Sequence, residues 1–204
     1  MLKKEHRLPD PRTGGGFRPG FVIGLVVCAV GCGLLLVSLL AFPARGAEVT
    51  KEYQIKAAYL YNFAKFVEWP AQRFADDRAP LVIGILGKNP VSEELQAIAR
   101  DHKINGRNIV IKEVATAGEA GSVHLLFFSG EGDIHMAETL AALKGAAVLT
   151  VGESDTFIAA GGMINFVREA DKVRFEINAD TASQAKLKIS AQLLKLAKPV
   201  QTPP

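Results

Sequence analysis

The hydrophobic and polar positions of residues 52–70 predict an amphipathic helix, in which six of nineteen residues are aromatic. At 3.6 residues per turn, the apolar side chains share one arc of about 200°. Thr50 is a suitable N-cap, and Pro70 ends the segment because proline disfavours the helical conformation at the preceding residue. The predicted apolar arc contains Ile55, Ala57, Tyr59, Leu60, Phe63, Ala64, Phe66 and Val67.

Beyond Pro70, apolar runs of strand length alternate with helical patterns. Continuous apolar runs at 81–87, 123–128 and 147–151 predict strands that are buried on both faces. The alternating segment 108–114 predicts a half-buried or edge strand. One helical pattern covers 89–100, and a second begins at 130–133 and ends at about residue 143. The order of strand, helix and strand indicates a parallel sheet with helices on its faces.

The last third of the chain has a different pattern. Residues 163–167 and 173–177 predict a β-hairpin, and Asp180 or Thr181 is expected to cap a final helix. The predicted fold is therefore an α/β three-layer sandwich with a mostly parallel sheet, helices on both faces and a C-terminal β-hairpin plus helix. Residues 199–204 are expected to form a disordered tail. The apolar stripe of the final helix is predicted to contain Ala182, Ala185, Ile189, Leu193 and Leu196.

Residues 1–46 have the pattern of an export leader. Basic residues precede an uncharged apolar run at 21–42, and Ala44 and Gly46 suit cleavage before Ala47. The run is also long enough to span a bilayer as an uncleaved anchor with its N-terminus in the cytoplasm. A lipoprotein cut before Cys32 is less favoured, because a greasy tail would then stand where a polar tether is expected. Residues 47–198 are thus predicted to form one exported domain.

Subtracting the leader changes the charge of the chain. Six of the 24 lysines and arginines and two of the 21 acidic residues lie in residues 1–47, so the remainder carries one more acidic than basic residue. The exported part therefore lacks the basic excess of a nucleic-acid-binding protein. Cys28 and Cys32 both lie in the leader, which excludes disulfides and thiol chemistry in the exported domain.

No catalytic or metal-binding motif is present in the exported part. Gly87 and Lys88 follow a strand, but a phosphate-binding loop needs glycine where Val82 stands and Ser or Thr where Asn89 stands. At the helix start near residue 130, Glu131 and Asp133 would repel a phosphate. The four histidines lack metal-ligand spacing, and His124 within a strand is expected to be a core or edge residue. We expect no enzymatic activity, catalytic residue, cofactor or metal.

The aromatic residues of 52–70 admit two interpretations. They can be the core face of a helix that covers the sheet, or some of them can line a ligand pocket or a partner surface. Tyrosine and tryptophan suit both interpretations because each has an apolar body and a polar group. The candidate ligand or partner surface consists of Tyr53, Tyr59, Asn62, Phe66 and Trp69.

Two segments resemble the YfiR-like family of bacterial periplasmic proteins. Residues 53–70 fit the segment Tyr-x-x-Lys-Ala-Ala-Tyr-Leu-Tyr-Asn-Phe-Ala-Lys-Phe-x-x-Trp-Pro, which follows the signal in that family. Residues 161–166, 173–178 and 185–196 resemble the far end of the family domain in the same order. The resemblance covers essentially the whole exported domain.

The resemblance implies a non-enzymatic periplasmic regulator that represses an inner-membrane diguanylate cyclase by binding its periplasmic part. Loss of repression would then raise cyclic di-GMP and alter biofilm formation. A homodimer is a further expectation. The best-known members of the family have periplasmic cysteines, and their absence here excludes redox sensing by that route. The competing hypothesis is a periplasmic small-molecule binding component of a sensor or transport system, with a pocket beyond the strand ends.

Overall fold

The computed structural model describes residues 45–130 and 135–200. Most of the predicted leader, the helix start at Glu131 and Asp133 and the end of the predicted tail lie outside these residues. Among the residues described, no helix is both long and apolar enough to cross a membrane.

Six α-helices and eight strands follow one another along the described chain. Helix α1 spans Arg45–Lys65, α2 Val91–Asp101, α3 Ala117–Ala120, α4 Met136–Ala142, α5 Ala179–Gln184 and α6 Ala191–Leu196. Strands β1 to β4 span Val67–Glu68, Leu81–Leu86, Ile109–Val114 and Leu125–Phe128. Strands β5 to β8 span Leu149–Gly152, Ile164–Glu169, Lys172–Ile177 and Lys188–Ile189.

The central sheet has six strands in the order β3-β2-β4-β5-β6-β7. The first five are parallel, and β7 returns antiparallel to β6 as the predicted hairpin. Strands β1 and β8 form a separate antiparallel pair. Because β3 lies on one side of β2 and β4 on the other, the strand order reverses at β2. The predicted α/β fold with a mostly parallel sheet is confirmed.

Apolar side chains fill the space on both faces of this sheet. On the first face, Leu60 and Phe63 of α1 pack in one core with Ile83 and Phe127 of the strands, and helices α2, α5 and α6 contribute to the same core. On the second face, helices α3 and α4 and the segment containing Phe157 cover Leu126 and Phe128. The side chains of adjacent strand residues therefore enter opposite cores, which explains the continuous apolar runs.

The aromatic helix has different limits from those predicted. Helix α1 begins at Arg45, so that Thr50 lies within it, and it ends at Lys65 rather than near Pro70. The chain then becomes extended because Val67 pairs with Ile189 in the small sheet. Phe66 and Trp69 consequently lie beyond the helix. The prediction of a single helix up to Pro70 was wrong because it took no account of this long-range pairing.

The predicted final helix is also divided. Asn178, rather than Asp180 or Thr181, caps α5 by accepting a hydrogen bond from Thr181 N. After α5, the backbone takes a positive φ of 60° at Lys186 and enters β8, which contains Ile189. Ser190 then caps α6 through the backbone N–H of Leu193. The predicted single stripe therefore does not exist, and Leu196 is 66% exposed.

Two glycines hold the ring of Phe157 against the sheet. Phe157 is fully buried, and a methyl group added to Gly152 or Gly162 would overlap its ring. We expect Gly162→Ala to lower the free energy of unfolding by about 2 kcal/mol, because a packed ring has no space to move aside. Urea denaturation measures this change.

The matched control for this prediction is Gly121→Ala. Gly121 has a helical φ of −66°, and an added methyl group there meets no atom within 4 Å. The free energy of unfolding of Gly121→Ala should differ from that of the parent protein by less than about 1 kcal/mol. Equal effects of the two substitutions would show that the Phe157 contact does not decide the outcome.

Candidate functional site

The five predicted surface residues do not form one continuous site. All five are half-buried. Tyr53 lies near the middle of α1, where its ring centroid is 5.7 Å from the amine of Lys56. Trp69 lies beyond the C-terminal end of the helix, and its Nε1 donates a hydrogen bond to the backbone oxygen of His124 at 3.0 Å. The C-terminal half of the helix therefore separates Tyr53 from Trp69.

Tyr59 belongs to the aromatic core on the first face of the sheet. Its ring centroid lies 5.9 Å from that of Phe63, 6.1 Å from Phe166 and 5.4 Å from Phe175. These distances are typical of favourable aromatic packing. The contacts of Tyr59 favour the interpretation of this residue as part of the helix face that covers the sheet.

A buried lysine on α1 is the site feature that sequence reasoning missed. Lys56 Nζ lies 2.6 Å from Glu153 Oε2 and 2.7 Å from Glu52 Oε1. The other oxygen of Glu153 accepts a hydrogen bond from Gly130 N at 3.0 Å, and Glu52 Oε2 lies 2.7 Å from Arg168 Nη2. The four charged side chains form a network that we call the Lys56 network. Its only signal in the sequence is the spacing of Glu52 and Lys56 by four residues.

The Lys56 network fixes the direction of α1 on the sheet. Glu153 follows the last residue of β5, Gly130 lies two residues beyond the end of β4, and Arg168 is near the end of β6. The middle turns of α1, which carry Glu52 and Lys56, thus lie at the carboxyl ends of the parallel strands. Trp69, beyond the last turn, contacts His124 just before β4 begins. Helix α1 therefore runs antiparallel to the strands that it covers.

The charges of the network stabilise one another. Burial lowers the pKa of Lys56, but the hydrogen bonds to Glu153 and Glu52 outweigh burial and hold its pKa above the ordinary value of 10.5. The hydrogen bond from Lys56 likewise outweighs burial at Glu52 and holds its pKa below 4.5. Lys56 therefore stays protonated and serves as a positively charged anchor rather than as a base or nucleophile.

A second polar cluster lies at the amino end of β4. His124 is buried, and its Nδ1 accepts a hydrogen bond from Val82 N at 3.0 Å. Its Nε2 lies 3.2 Å from the backbone oxygen of Arg73, which requires the proton on Nε2. The ring stacks on Phe74 with centroids 4.4 Å apart and meets the edge of Trp69 at 6.2 Å. Both ring nitrogens are thus engaged by the fold.

The same end of the sheet carries a small cavity of about 250 Å³ beside Trp69 and Phe74. The guanidinium of Arg107 covers the Phe74 ring at 3.9 Å and donates hydrogen bonds to two backbone oxygens of the preceding loop. Arg73 donates to the backbone oxygens of Gly121 and Val123. These arginines fix the loop that leads from β1 into the central sheet.

A larger cavity lies at the opposite, carboxyl end. It has a volume of about 820 Å³ and lies between the ends of β2 and β3 and helix α4. Within the part of the chain that is described, no group of three or more His, Cys, Asp or Glu side chains could hold a metal ion. We call this cavity the β2–β3 groove, and its lining includes Leu86, Lys88, Lys112, Val114, Thr116 and Thr139.

The Lys56 network yields a prediction for stability. Lys56→Met keeps the aliphatic stem but leaves Glu52 and Glu153 without their shared cation, so we expect the free energy of unfolding to fall by about 2 kcal/mol at pH 7. The loss should persist down to about pH 4.5 and shrink below it, where Glu52 of the folded parent protein takes up a proton. Urea denaturation at several pH values measures both effects.

Lys51→Met is the matched control, because Lys51 is exposed on the same helix. It should change the free energy of unfolding by less than about 0.5 kcal/mol. If Lys56→Met were as stable as this control, the network would contribute nothing to the attachment of α1.

Burial of His124 leads us to expect a second dependence of stability on pH. Burial is the main cause that lowers its pKa below the ordinary value of 6.5. The folded protein therefore favours the neutral ring, so the contribution of His124 is complete above pH 6.5 and is lost as the pH falls below it. We expect His124→Gln to flatten the dependence of the melting temperature on pH below 6.5. His102→Gln, at an exposed histidine, should retain the dependence of the parent protein.

Comparison with known proteins agrees with the resemblance of the two terminal segments. No curated protein sequence matches the chain. The sequence model of the YfiR/HmsC-like family matches residues 53–198, which begin within α1 and end two residues after α6. The match includes Lys56, Glu153 and Arg168 of the Lys56 network but not Glu52, together with His124 and the β2–β3 groove. The chain therefore belongs to the YfiR/HmsC-like family.

Proposed function

We propose that the protein is a non-enzymatic periplasmic regulator that represses an inner-membrane diguanylate cyclase by binding its periplasmic part. The observation that carries this proposal is the family match over residues 53–198, because this family is regulatory and acts in signalling through contact with a partner. Export by residues 1–46 is part of the proposal. Repression follows if the bound regulator favours the inactive state of the cyclase.

The use of the buried ionisable groups supports a role without catalysis. Lys56 is held by two carboxylates, and His124 uses both ring nitrogens for backbone hydrogen bonds. A catalytic base or nucleophile needs a free reactive atom beside a substrate position. The chemistry of these two residues instead holds α1 and the loop after β1 on the sheet.

Exposed apolar residues near the C-terminus favour one surface for the partner. Among the described residues, large exposed hydrophobic side chains include Leu194, Leu196 and Val200, within seven positions of one another. We call these three residues the α6 patch. Buried Leu193 anchors α6 in the core, and Leu194 and Leu196 are exposed on the two sides of the helix that flank it. Exposed apolar side chains of this kind are typical of protein interaction sites.

The α6 patch is connected to one of the five predicted surface residues. Ser190 N, at the start of α6, donates a hydrogen bond to the backbone oxygen of Phe66 at 3.0 Å. We therefore include Phe66 with the α6 patch in the proposed contact surface. A role in ligand or partner binding for Tyr53, Tyr59, Asn62 and Trp69 remains a prediction, as does a homodimer.

Deletion of the gene tests the proposed function, and we expect it to raise intracellular cyclic di-GMP. Complementation with Leu196→Glu should leave cyclic di-GMP elevated while the purified variant keeps its melting temperature, because Leu196 is 66% exposed. A charge placed in an apolar contact should weaken cyclase binding about tenfold or more. Cyclic di-GMP extraction and pull-down from solubilised membranes measure the two effects.

Gln184→Glu is the matched control, since it adds the same charge at an exposed position of α5, outside the α6 patch. It should restore repression. Unchanged cyclic di-GMP after deletion would contradict the proposed function, whereas repression by Leu196→Glu would contradict only the choice of surface. The absence of any cyclase or receptor in the pull-down would favour the small-molecule binding component instead.

A further inference from the structure

The β2–β3 groove lies where an open parallel sheet offers a binding site. It is formed at the carboxyl ends of β2 and β3, beside the point between β2 and β4 where the strand order reverses. In such sheets the loops on the two sides of the reversal diverge and leave a crevice. A volume of about 820 Å³ is in the range of sites for small organic molecules.

The groove combines an apolar floor with amino groups at its rim. Leu86 and Val114 are buried in the core of the second face and line the groove. Lys88 and Lys112 are exposed, and neither forms an ion pair with another described residue. An apolar body and a negative charge would therefore both find complementary groups here.

The three glutamates of the lining form no ion pair with these amines. Strand alternation places the side chain of Glu113 on the opposite face of β3 from Lys112 and Val114. Glu119 Oε2 accepts a hydrogen bond from Ala115 N at 3.2 Å, within its own loop. Glu138 is 77% exposed and lies 3.7 Å from a ring nitrogen of His135. Lys88 and Lys112 are therefore the unpaired cations among the described lining residues, beside three carboxylates that keep their charge.

The hydroxyl of Thr139 is an independent observation that points to a ligand. Thr139 lines the groove from α4, is 1% exposed, and its Oγ1 has no hydrogen-bond partner among the described residues. A buried hydroxyl without a partner is costly, and native structures rarely leave one unsatisfied. Because Oγ1 is closed off as the side chain stands, a ligand oxygen in the groove would supply the missing acceptor once the Thr139 side chain rotates towards it.

We propose that the β2–β3 groove binds a small organic anion, a carboxylate on an apolar body. The apolar body packs on Leu86 and Val114, Lys88 and Lys112 attract the carboxylate, and Thr139 donates to a ligand oxygen. This site goes beyond the proposed contact with a cyclase, because it uses neither Phe66 nor the α6 patch. Its test is accordingly independent of cyclic di-GMP.

The test is a titration of the ¹⁵N-labelled protein, in the form recovered after export, with 2-naphthoate and its neutral isostere 2-naphthamide. We expect 2-naphthoate to shift the amide resonances of Lys88, Val114 and Thr139 and to bind about fivefold more tightly than 2-naphthamide. The double substitution Lys88→Gln and Lys112→Gln should abolish that preference. The double substitution Lys103→Gln and Lys172→Gln changes the net charge equally at exposed positions outside the groove and should preserve it.

Thr139→Val separates a ligand contact from a structural role. It keeps the shape of the side chain, and we expect it to weaken both ligands about threefold while the melting temperature stays equal or rises. A lower melting temperature with unchanged affinity would remove Thr139 from the site. Absence of binding, shifts confined to other parts of the protein, or equal affinity for the two ligands in the parent protein would overturn the proposal.

Discussion

Because β2, β4 and β5 are apolar on both faces, the central sheet is stable only when helices cover it on each side. Helix α1 is the longest of these helices, and its buried Leu60 and Phe63 pack against side chains of the strands. Burial of apolar area supplies most of the free energy of this contact, but it is not directional. Apolar contact alone would leave the position and direction of α1 on the apolar sheet poorly specified.

The Lys56 network supplies the missing direction. Lys56 reaches the carboxylate that follows β5, and Glu52 reaches Arg168 at the end of β6, so the middle of α1 is tied to the carboxyl ends of the strands. A buried ion pair adds little net stability compared with an apolar pair, but misplacing either partner is costly. We therefore infer that these charges set the position of α1 along the sheet, while its aromatic residues supply the affinity.

The sequence predicts those parts of the structure that depend on local pattern. Apolar runs identify β2, β4 and β5, and the spacing of turns identifies the hairpin of β6 and β7. The helix ends at Lys65 and Gln184 could not be predicted, because they depend on pairing of β1 with β8 across more than a hundred residues. The candidate sites could not be predicted for the same reason, because their residues are far apart in the sequence. Lys56 and Glu153 are 97 residues apart, and the β2–β3 groove collects residues from three separate segments.

The two proposed sites lie at opposite ends of the parallel strands, and α1 runs along the sheet between these ends. Trp69 and the β1–β8 pair place the start of α6 near the amino ends of the strands, whereas the groove opens at their carboxyl ends. The groove and the α6 patch therefore have no described residue in common. If the ligand changes the affinity for the partner, linkage requires the partner to change the affinity for the ligand by the same factor. Such coupling needs an element with two arrangements that both sites bias, and α1, held near its middle by Lys56 and followed by Trp69 and β1, runs between the two ends of the strands.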